Sequence, residues 1–274
     1  MKPNPMFDIT GKVAVITGAS GVLGEATCRS LAQAGAKVAV VGRSEGKLHK
    51  LTMSLSECGA ETCAAVADCL DRPALEAARE SIKSRWGRVD FLLNFAGGNR
   101  PDATTAPDRN FFGLSKEALD GAVNLNLMGT VLPCQVFGKL MAEQSSGTIL
   151  NVSSMTAARP LTRIVGYSAA KAAVDNFTQW LAVHLAKEYS PNIRVNAIAP
   201  GFFLTEQNRY LLTDEKTGVP TERGKSILAH TPMARFGKPE DLQGAILWLL
   251  SPASAFVTGV VLPIDGGFNA FSGV

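Results

Sequence analysis

Clustered charge, histidine and long apolar runs are all scarce in this 274-residue sequence. Only 19% of its residues are charged, and 27 basic against 24 acidic side chains leave a net charge of +3. A nucleic-acid-binding surface needs clustered lysine and arginine, which are missing here. Apolar runs such as 246–250 and 256–262 are far shorter than the roughly 18 residues that cross a membrane. We expect neither a nucleic acid nor a membrane as a partner.

Metal-binding and secretion signals are also missing. The three histidines are far apart, and no two of the five cysteines form a Cys-x-x-Cys pair of the kind that binds zinc. Residues 1–8 contain two prolines and an aspartate instead of the apolar stretch of a signal peptide. We therefore expect no metal, free thiols and a cytoplasmic location.

Short β-rich runs alternate with stretches of helical apolar spacing along the chain. The predicted strands are 13–17, 37–41, 62–67, 91–94, 148–153, 194–199 and 260–264. The predicted helices are 24–34, 48–58, 72–86, 116–141, 167–188 and 239–250. Continuous apolar strands between helices are typical of a parallel sheet covered on both faces. The pattern predicts one doubly wound α/β domain over residues 1–274, with a parallel sheet of about seven strands and helices on both faces.

Two long stretches, 97–112 and 202–231, fit no regular element. Both follow predicted strands and so lie at the carboxyl edge of the sheet, where open α/β folds bind their ligands. We interpret 202–231 as a substrate loop, since a long loop at that edge is more often a lid than a linker.

The first predicted strand runs directly into a glycine-rich turn and then a helix. Glycines allow a tight turn and a close approach of the backbone to a pyrophosphate, and a helix N-terminus offers unpaired N–H groups. The turn therefore predicts a dinucleotide site. Its expected contacts are Gly18, Ser20, Gly21, Val22, Leu23 and Gly24.

The ends of the next strands bear on which dinucleotide binds. Gly42 stands where an acidic residue would bind the adenosine ribose, and Arg43, which follows it, could accept a 2′-phosphate. This favours NADP(H) over NAD(H), although Arg43 as a solvated turn residue remains the alternative. Asp68 closes the third strand and could receive the adenine amino group. The fourth strand leads into Asn94, Ala96 and Gly97, where small residues permit the backbone to approach a ribose.

Tyr167 and Lys171 are four residues apart at the start of a predicted helix, one turn apart on one face. A nearby ammonium favours the phenolate, so we expect it to lower the pKa of the tyrosine. Such a phenol can give a proton to a ketone oxygen or take one from an alcohol. Ser154, at the end of the fifth predicted strand, could hold the substrate oxygen beside it.

Together these segments resemble the short-chain dehydrogenase/reductase family over essentially the full chain. The matching stretches are 17–24, 94–97, 126–129, 151–154, 167–171, 194–201 and 265–267. The resemblance implies a Rossmann-type fold, with Tyr167 as general acid/base and Lys171 lowering its pKa and binding the nicotinamide ribose. It also implies that Ser154 orients the carbonyl and that Asn126 supports a proton-relaying water.

The resemblance assigns cofactor contacts near the nicotinamide end to Tyr167 as well, and further ones to Pro200, Gly201, Phe203 and Thr205. The chain departs from the family pattern at two positions. Val22 replaces a glycine of the turn, with glycine at position 21 instead. Phe95 replaces the second asparagine of the usual Asn-Asn-Ala-Gly, a change that we expect to affect structure more than chemistry.

A narrower resemblance concerns the substrate. Stretches 95–99, 153–161, 177–182, 200–208 and 265–274 are similar to the D-mannonate oxidoreductase branch, which interconverts D-fructuronate and D-mannonate. The carboxylate of a sugar acid needs a cationic side chain. Arginine suits it better than lysine because its planar guanidinium can form two parallel hydrogen bonds with a carboxylate. Candidate arginines near the carboxyl edge are Arg100, Arg159, Arg163 and Arg209, with Arg159 first; Asn99, Gln207 and Asn208 could bind hydroxyls.

Alternative functions stay open. One is a different carbonyl reductase of the same family, such as a gluconate or deoxygluconate dehydrogenase or a 3-oxoacyl-carrier reductase. Another is a non-catalytic NADP-binding regulator, against which the complete set of Ser154, Tyr167, Lys171 and Asn126 argues. The helices 119–141 and 167–188 carry wide apolar faces. Members of the family that this chain resembles pair these helices across a tetramer interface, so we expect a homotetramer.

Overall fold

Seven strands form one parallel sheet in a computed structural model that describes residues 4–205, 209–214 and 217–273. The strands are β1 (Val13–Thr17), β2 (Lys37–Gly42), β3 (Thr62–Val66), β4 (Phe91–Asn94), β5 (Gly147–Val152), β6 (Ile193–Pro200) and β7 (Val261–Ile264). Their order across the sheet is β3-β2-β1-β4-β5-β6-β7, and every neighbouring pair is parallel. This confirms the predicted sheet.

Helices cover both faces of this sheet. The described helices are α1 (Val22–Gln33), α2 (Glu45–Glu57), α3 (Arg72–Trp86), α4 (Lys116–Val123), α5 (Gly129–Glu143), α6 (Val165–Glu188), α7 (Arg209–Leu212), α8 (Glu222–Ala229) and α9 (Gln243–Leu250). Side chains of α3, α5 and α6 pack on one face, and side chains of α1, α2 and α9 on the other. Within the described residues no helix is long and apolar enough to cross a membrane.

Alternation along β1 shows how the sequence specifies two cores. Val13 and Val15 join the cluster under α3, α5 and α6, whereas Ala14 and Ile16 join the cluster under α1, α2 and α9. Successive side chains of a strand point to opposite faces, so a central strand with helices on both sides must be apolar at every position.

The strand order reverses between β1 and β4, and the crevice at such a switch point is the usual ligand site of an open α/β sheet. The residues that follow β1 and β4 therefore lie next to each other at the carboxyl edge. There Gly18 is so close to the next segment that a Cβ on it would lie 2.6 Å from the Ala96 nitrogen.

Two helical predictions were wrong in detail. The single helix predicted over 116–141 is broken, because a π-helical turn, Asn124–Met128, separates α4 from α5. The stretch 202–231, which fitted no regular element, contains the short helices α7 and α8 among its described residues.

Candidate active site

Helix α6 presents Tyr167 and Lys171 at the carboxyl edge of the sheet. The two residues are one turn apart, and the Lys171 Nζ lies 5.7 Å from the centroid of the Tyr167 ring. Lys171 is buried, and its ammonium donates a hydrogen bond of 2.7 Å to the carbonyl oxygen of Val152, the last residue of β5. This bond fixes the lysine between the helix and the strand end.

Ser154 lies near Tyr167, just beyond the end of β5. It leaves β5 in an extended conformation and begins a 3₁₀ turn, where its hydroxyl oxygen accepts a bond of 3.3 Å from the Thr156 amide. Its hydroxyl also lies near enough to the Tyr167 phenol to lower the pKa of that phenol. The structure thus brings together the serine, tyrosine and lysine that the sequence predicted, on two different elements.

Burial is the largest influence on the pKa values of both Tyr167 and Lys171. Burial raises the pKa of Tyr167 above its ordinary value, and the nearby Ser154 hydroxyl opposes the rise. The Lys171 ammonium is not among the groups that shift this pKa, so burial sets its direction, and the expected lowering by Lys171 stays a prediction. Burial also lowers the pKa of Lys171 to about 8, against the opposing effect of the Asp175 carboxylate.

Asn126 lies in the π-helical turn and binds the loop that follows β4. Its amide nitrogen donates to the Gly98 carbonyl at 2.9 Å, and its side-chain oxygen accepts from the Gly98 N–H at 2.9 Å. A Cβ on Gly97 would lie 2.8 Å from that oxygen and 3.4 Å from the Lys171 Nζ. Gly97, with φ +154°, therefore brings Asn126 and Lys171 into one cluster, as the predicted catalytic set requires.

The glycine turn after β1 has the close backbone contacts that the sequence predicted. Gly18 has φ +63°, and a Cβ on Gly24 would lie 2.5 Å from the Gly18 carbonyl oxygen. Gly21 is the N-cap residue of α1, no side chain caps this helix, and Val22 and Leu23 form its first turn. The helix N-terminus is thus free of side-chain caps at the crevice between β1 and β4, which fits a pyrophosphate. The valine at position 22 is accommodated as the first helical residue.

The end of β2 lies beside this turn. A Cβ on Gly42 would lie 3.9 Å from the Ser20 hydroxyl, so a side chain here would point toward the predicted dinucleotide site. Arg43 is 77% exposed, and its guanidinium lies 3.9 Å from the Asp68 carboxylate. These two predicted cofactor contacts therefore form a loose ion pair at the rim of the site.

Asn94 is placed differently from the other predicted cofactor residues. Its amide donates to the Asn151 side-chain oxygen at 2.9 Å and lies 3.2 Å from the Cys134 sulfur, inside the sheet. Asn151 in turn donates to Thr178 on α6 at 2.9 Å. The side chain of Asn94 is thus used in a buried polar network, whereas Ala96 and Gly97 lie in the loop beyond it. Phe95 is partly buried and packs against the core on the α1 side.

The nicotinamide end predicted by resemblance follows β6. Pro200 ends the strand, and a Cβ on Gly201 would lie 2.7 Å from the Asp265 backbone. Phe203 is buried, and a Cβ on Gly237 would lie 2.8 Å from a carbon of its ring. The Thr205 carbonyl accepts from the Arg209 N–H at the start of α7. Small residues at 201 and 237 thus let this segment pack closely against its neighbours.

The predicted substrate residues lie in loops at the carboxyl edge. Asn99 is exposed and its amide donates to the Thr104 hydroxyl at 2.9 Å. Arg159 is also exposed, with its backbone N–H bonded to the Met155 carbonyl just beyond Ser154. Gln207 and Asn208 lie outside the described residues.

The other candidate arginines differ in their surroundings. Arg100 pairs with Asp102 at 2.6 Å. Arg163 has φ +77°, and its carbonyl accepts from the Thr105 N–H at 2.9 Å, which joins the loops after β4 and β5. Arg209 is exposed at the start of α7. Arg159 forms no side-chain ion pair within the described part of the chain, so it fits an external carboxylate better than Arg100 does.

Sequence reasoning missed Asp175, which lies one turn beyond Lys171 on α6. The signal available was the same four-residue spacing that identified Tyr167 and Lys171. No group of histidine, cysteine or acidic side chains able to hold a metal ion occurs among the residues that the structure describes.

Comparison with known proteins agrees with this geometry. Residues 18–269 match a family model described as enoyl-(acyl carrier protein) reductase, within the short-chain dehydrogenase/reductase family. The chain therefore belongs to the short-chain dehydrogenase/reductase family and is an oxidoreductase.

Three similar proteins match nearly the whole length of this chain. The chain is 47% identical to an uncharacterized oxidoreductase, UxuB, of Bacillus subtilis, over 97% of this chain and 98% of that protein. A crystal structure from Haemophilus influenzae, provisionally assigned as a D-mannonate oxidoreductase and holding NAD, has a TM-score of 0.91 at 42% identity, covering 97% of this chain and 98% of that one. A gluconate 5-dehydrogenase of Burkholderia cenocepacia in complex with NADP and tartrate has a TM-score of 0.86 at 30% identity, covering 97% and 98%.

Proposed function

We propose that this protein is an NAD(P)-dependent oxidoreductase that transfers a hydride between the cofactor and a ketone or alcohol of a sugar acid, with D-fructuronate and D-mannonate as the pair. The observation that carries this proposal is the arrangement of Ser154, Tyr167 and the buried Lys171, whose Nζ lies 5.7 Å from the centroid of the Tyr167 ring. The chain is similar to a provisionally assigned D-mannonate oxidoreductase over nearly its whole length, which supports this substrate class.

The glycine turn and the uncapped start of α1 would hold the pyrophosphate, and Ala96, Gly97, Pro200 and Thr205 would line the nicotinamide half. When bound, the cofactor supplies or accepts the hydride. Further contacts would come from Ser20 and Leu23 beside the pyrophosphate and from Phe203 beyond β6.

The chain's own catalytic groups handle the proton and the orientation of the substrate. Tyr167 gives a proton to the ketone oxygen in reduction and takes it back from the alcohol in oxidation. Ser154 holds the same oxygen, Lys171 binds the nicotinamide ribose, and Asn126 supports the relay that returns protons to Lys171. These roles are supported by the position of the Lys171 Nζ, 5.7 Å from the Tyr167 ring centroid, and by the bonds of Asn126 to Gly98 in the loop after β4.

We further propose that the cofactor preference is for NADP(H). Gly42 provides no carboxylate to repel a 2′-phosphate, and the guanidinium of Arg43 is exposed at the rim of the site. The similar structures include one with NAD and one with NADP, so they do not decide the cofactor. The proposed preference for NADP(H) is therefore argued from Gly42 and Arg43 of this chain.

For the substrate, Arg159 is the proposed carboxylate receptor, with Asn99 and Gln207 binding hydroxyls. The loops after β4 and β5 are tied together through Arg163, and the substrate would lie between them and the stretch 202–231. Burkholderia gluconate 5-dehydrogenase was solved with tartrate, a dicarboxylic hydroxy acid, so gluconate-type ketoacids are the second candidate.

The test is a panel of ketones: D-fructuronate, 5-ketogluconate and an uncharged diketone, each with NADPH and NADH. We expect D-fructuronate to have the highest kcat/KM. In Arg159→Ala the KM for D-fructuronate should rise roughly ten- to hundredfold, as expected when a charged hydrogen bond is lost, while the diketone is unaffected.

Arg163→Ala is the comparison variant, because Arg163 is the other exposed candidate arginine of the same loop and its bond to Thr105 is made by its backbone carbonyl, not by its side chain. An equal loss for D-fructuronate and the diketone would contradict the role of Arg159. Turnover of 5-ketogluconate alone would keep the reaction class and overturn the proposed substrate.

A further inference from the structure

Asp175 continues the line of catalytic side chains along α6. Tyr167, Lys171 and Asp175 are spaced by four residues, so they form one stripe on the helix face that packs toward the end of β5. The carboxylate lies about two turns from the phenol but only one turn from the ammonium. It is therefore placed to act on the lysine more strongly than on the tyrosine.

The surroundings of this carboxylate leave it without an ordinary structural role. Its Oδ1 is buried and has no hydrogen-bond partner among the described residues. The Ser153 hydroxyl, 2% exposed, is likewise buried without a partner. Burial raises the pKa of the Asp175 carboxyl, and the nearby Ser153 hydroxyl and Lys171 ammonium oppose that rise, although Ser153 and Asp175 are not in hydrogen-bonding geometry. Asp175 is half-buried as a whole, but an unpartnered buried carboxylate oxygen is costly to the fold, which indicates a purpose other than stability.

The elements packed against this face bring mainly neutral groups to Lys171. Strand β5 and the turn after it contribute the Val152 carbonyl and the Ser153 and Ser154 hydroxyls, and the π-helical turn contributes the Asn126 amide. Arg194 in β6 lies at the opposite, amino edge of the sheet.

Helix α4 carries three charged residues, Lys116, Glu117 and Asp120, and all are exposed. Lys116 and Asp120 form an ion pair with each other. Asp175 is thus the acidic residue that acts on Lys171 within the described part of the chain.

We propose that Asp175 is a positioning residue for the catalytic lysine, whose carboxylate keeps the Lys171 ammonium charged and bonded to the Val152 carbonyl. The inference rests on the proposed roles of Tyr167 and Lys171. Burial lowers the pKa of Lys171 to about 8, and the Asp175 carboxylate opposes that shift. Without it, the lysine would lose its proton at a lower pH, and the tyrosinate would lose its neighbouring cation.

The direct test is the pH profile of alcohol oxidation in Asp175→Asn. The alkaline limb, where kcat/KM falls as Lys171 deprotonates, should move down by about one pH unit, as expected when an opposite charge close to an ionisable group is removed. Just above the new limb this is a loss of roughly tenfold. Asp175→Glu should restore much of the limb, and Glu188→Gln, at the exposed end of the same helix, should leave the profile unchanged.

A second readout needs no turnover. Between the pKa of the folded Lys171, about 8, and its ordinary value of 10.5, the unfolded chain holds more protons, so stability rises with pH. The difference in unfolding free energy between wild type and Lys171→Met should therefore begin to rise near pH 8. In the Asp175→Asn background the rise should begin about one pH unit lower, by the same loss of an opposite charge.

The outcomes distinguish a failure of the role of Asp175 from a failure of the proposed function. A uniform loss of activity without a shifted limb, or an unchanged profile, would overturn the role of Asp175. Should Asp175→Asn not fold, Asp175→Ser removes the charge with less bulk and is held to the same criteria. Wild-type turnover in Tyr167→Phe would instead contradict the proposed function itself.

Discussion

The protonation state of the Tyr167 phenol determines whether it can act as a proton donor or as a proton acceptor. Burial keeps the pKa of Tyr167 above its ordinary value, so the phenol carries its proton at neutral pH. A protonated phenol suits the reduction of a ketone, and alkaline conditions suit the oxidation of an alcohol. Ser154 moderates this effect because its nearby hydroxyl favours the phenolate and so lowers the pKa of Tyr167.

Also at the residue scale, Arg43 should decide the cofactor. In Arg43→Ala the kcat/KM for NADPH should fall roughly ten- to hundredfold through loss of a charged hydrogen bond, while the value for NADH stays within about twofold. Steady-state kinetics with both cofactors measures this ratio. Arg85→Ala is the control, because Arg85 is an exposed arginine in the last turn of α3, at the other edge of the sheet. Wild-type preference for NADH would contradict the assignment.

At the scale of single elements, the strands were predicted to within a residue or two because apolar runs define them. The helix over 116–141 was mispredicted because the π-helical turn at Asn124–Met128 shifts the helical phase without any proline or charge to mark it. Helix α7 has four residues, too few for a periodic pattern. Helix α8 had a usable signal, since Thr221 is its N-cap and accepts from the Gly224 N–H at 3.1 Å.

The candidate site was predictable to the extent that spacing and strand ends determine it. Four-residue spacing brought Tyr167 and Lys171 together, and the end of β5 brought Ser154 to them. The sequence did not reveal which way a side chain turns, so the engagement of Asn94 inside the sheet emerged only from the structure. The pKa of Tyr167 also depends on how deeply its ring is buried, which spacing alone does not determine.

At the scale of the whole molecule, the homotetramer stays a prediction, and the exposed face of α6 offers a candidate contact surface for it. Trp180 and Val183 are each more than half exposed, and Trp180 stacks between Phe177 and His184 with centroid distances of 6.4 and 4.7 Å. Exposed apolar patches of this kind mark contact surfaces.

We expect light scattering coupled to size exclusion to give a mass four times the 28.9 kDa of one chain. Trp180→Glu should lower that mass, because a charge would be placed in the interface. Ala172→Glu, at another exposed position of α6, separates the effect of this patch from that of added charge on the helix. A monomeric wild type would contradict the expected assembly.

The most direct test of the account is the rate of D-fructuronate reduction by NADPH in wild type and in Tyr167→Phe, measured by the loss of absorbance of the reduced cofactor. Removal of the phenolic hydroxyl eliminates the proton donor, so kcat should fall by roughly 10²- to 10⁴-fold. Circular dichroism and NADPH binding should be unchanged, since the ring and the glycine turn remain. Undiminished turnover in Tyr167→Phe would contradict the catalytic assignment on which the proposed function rests.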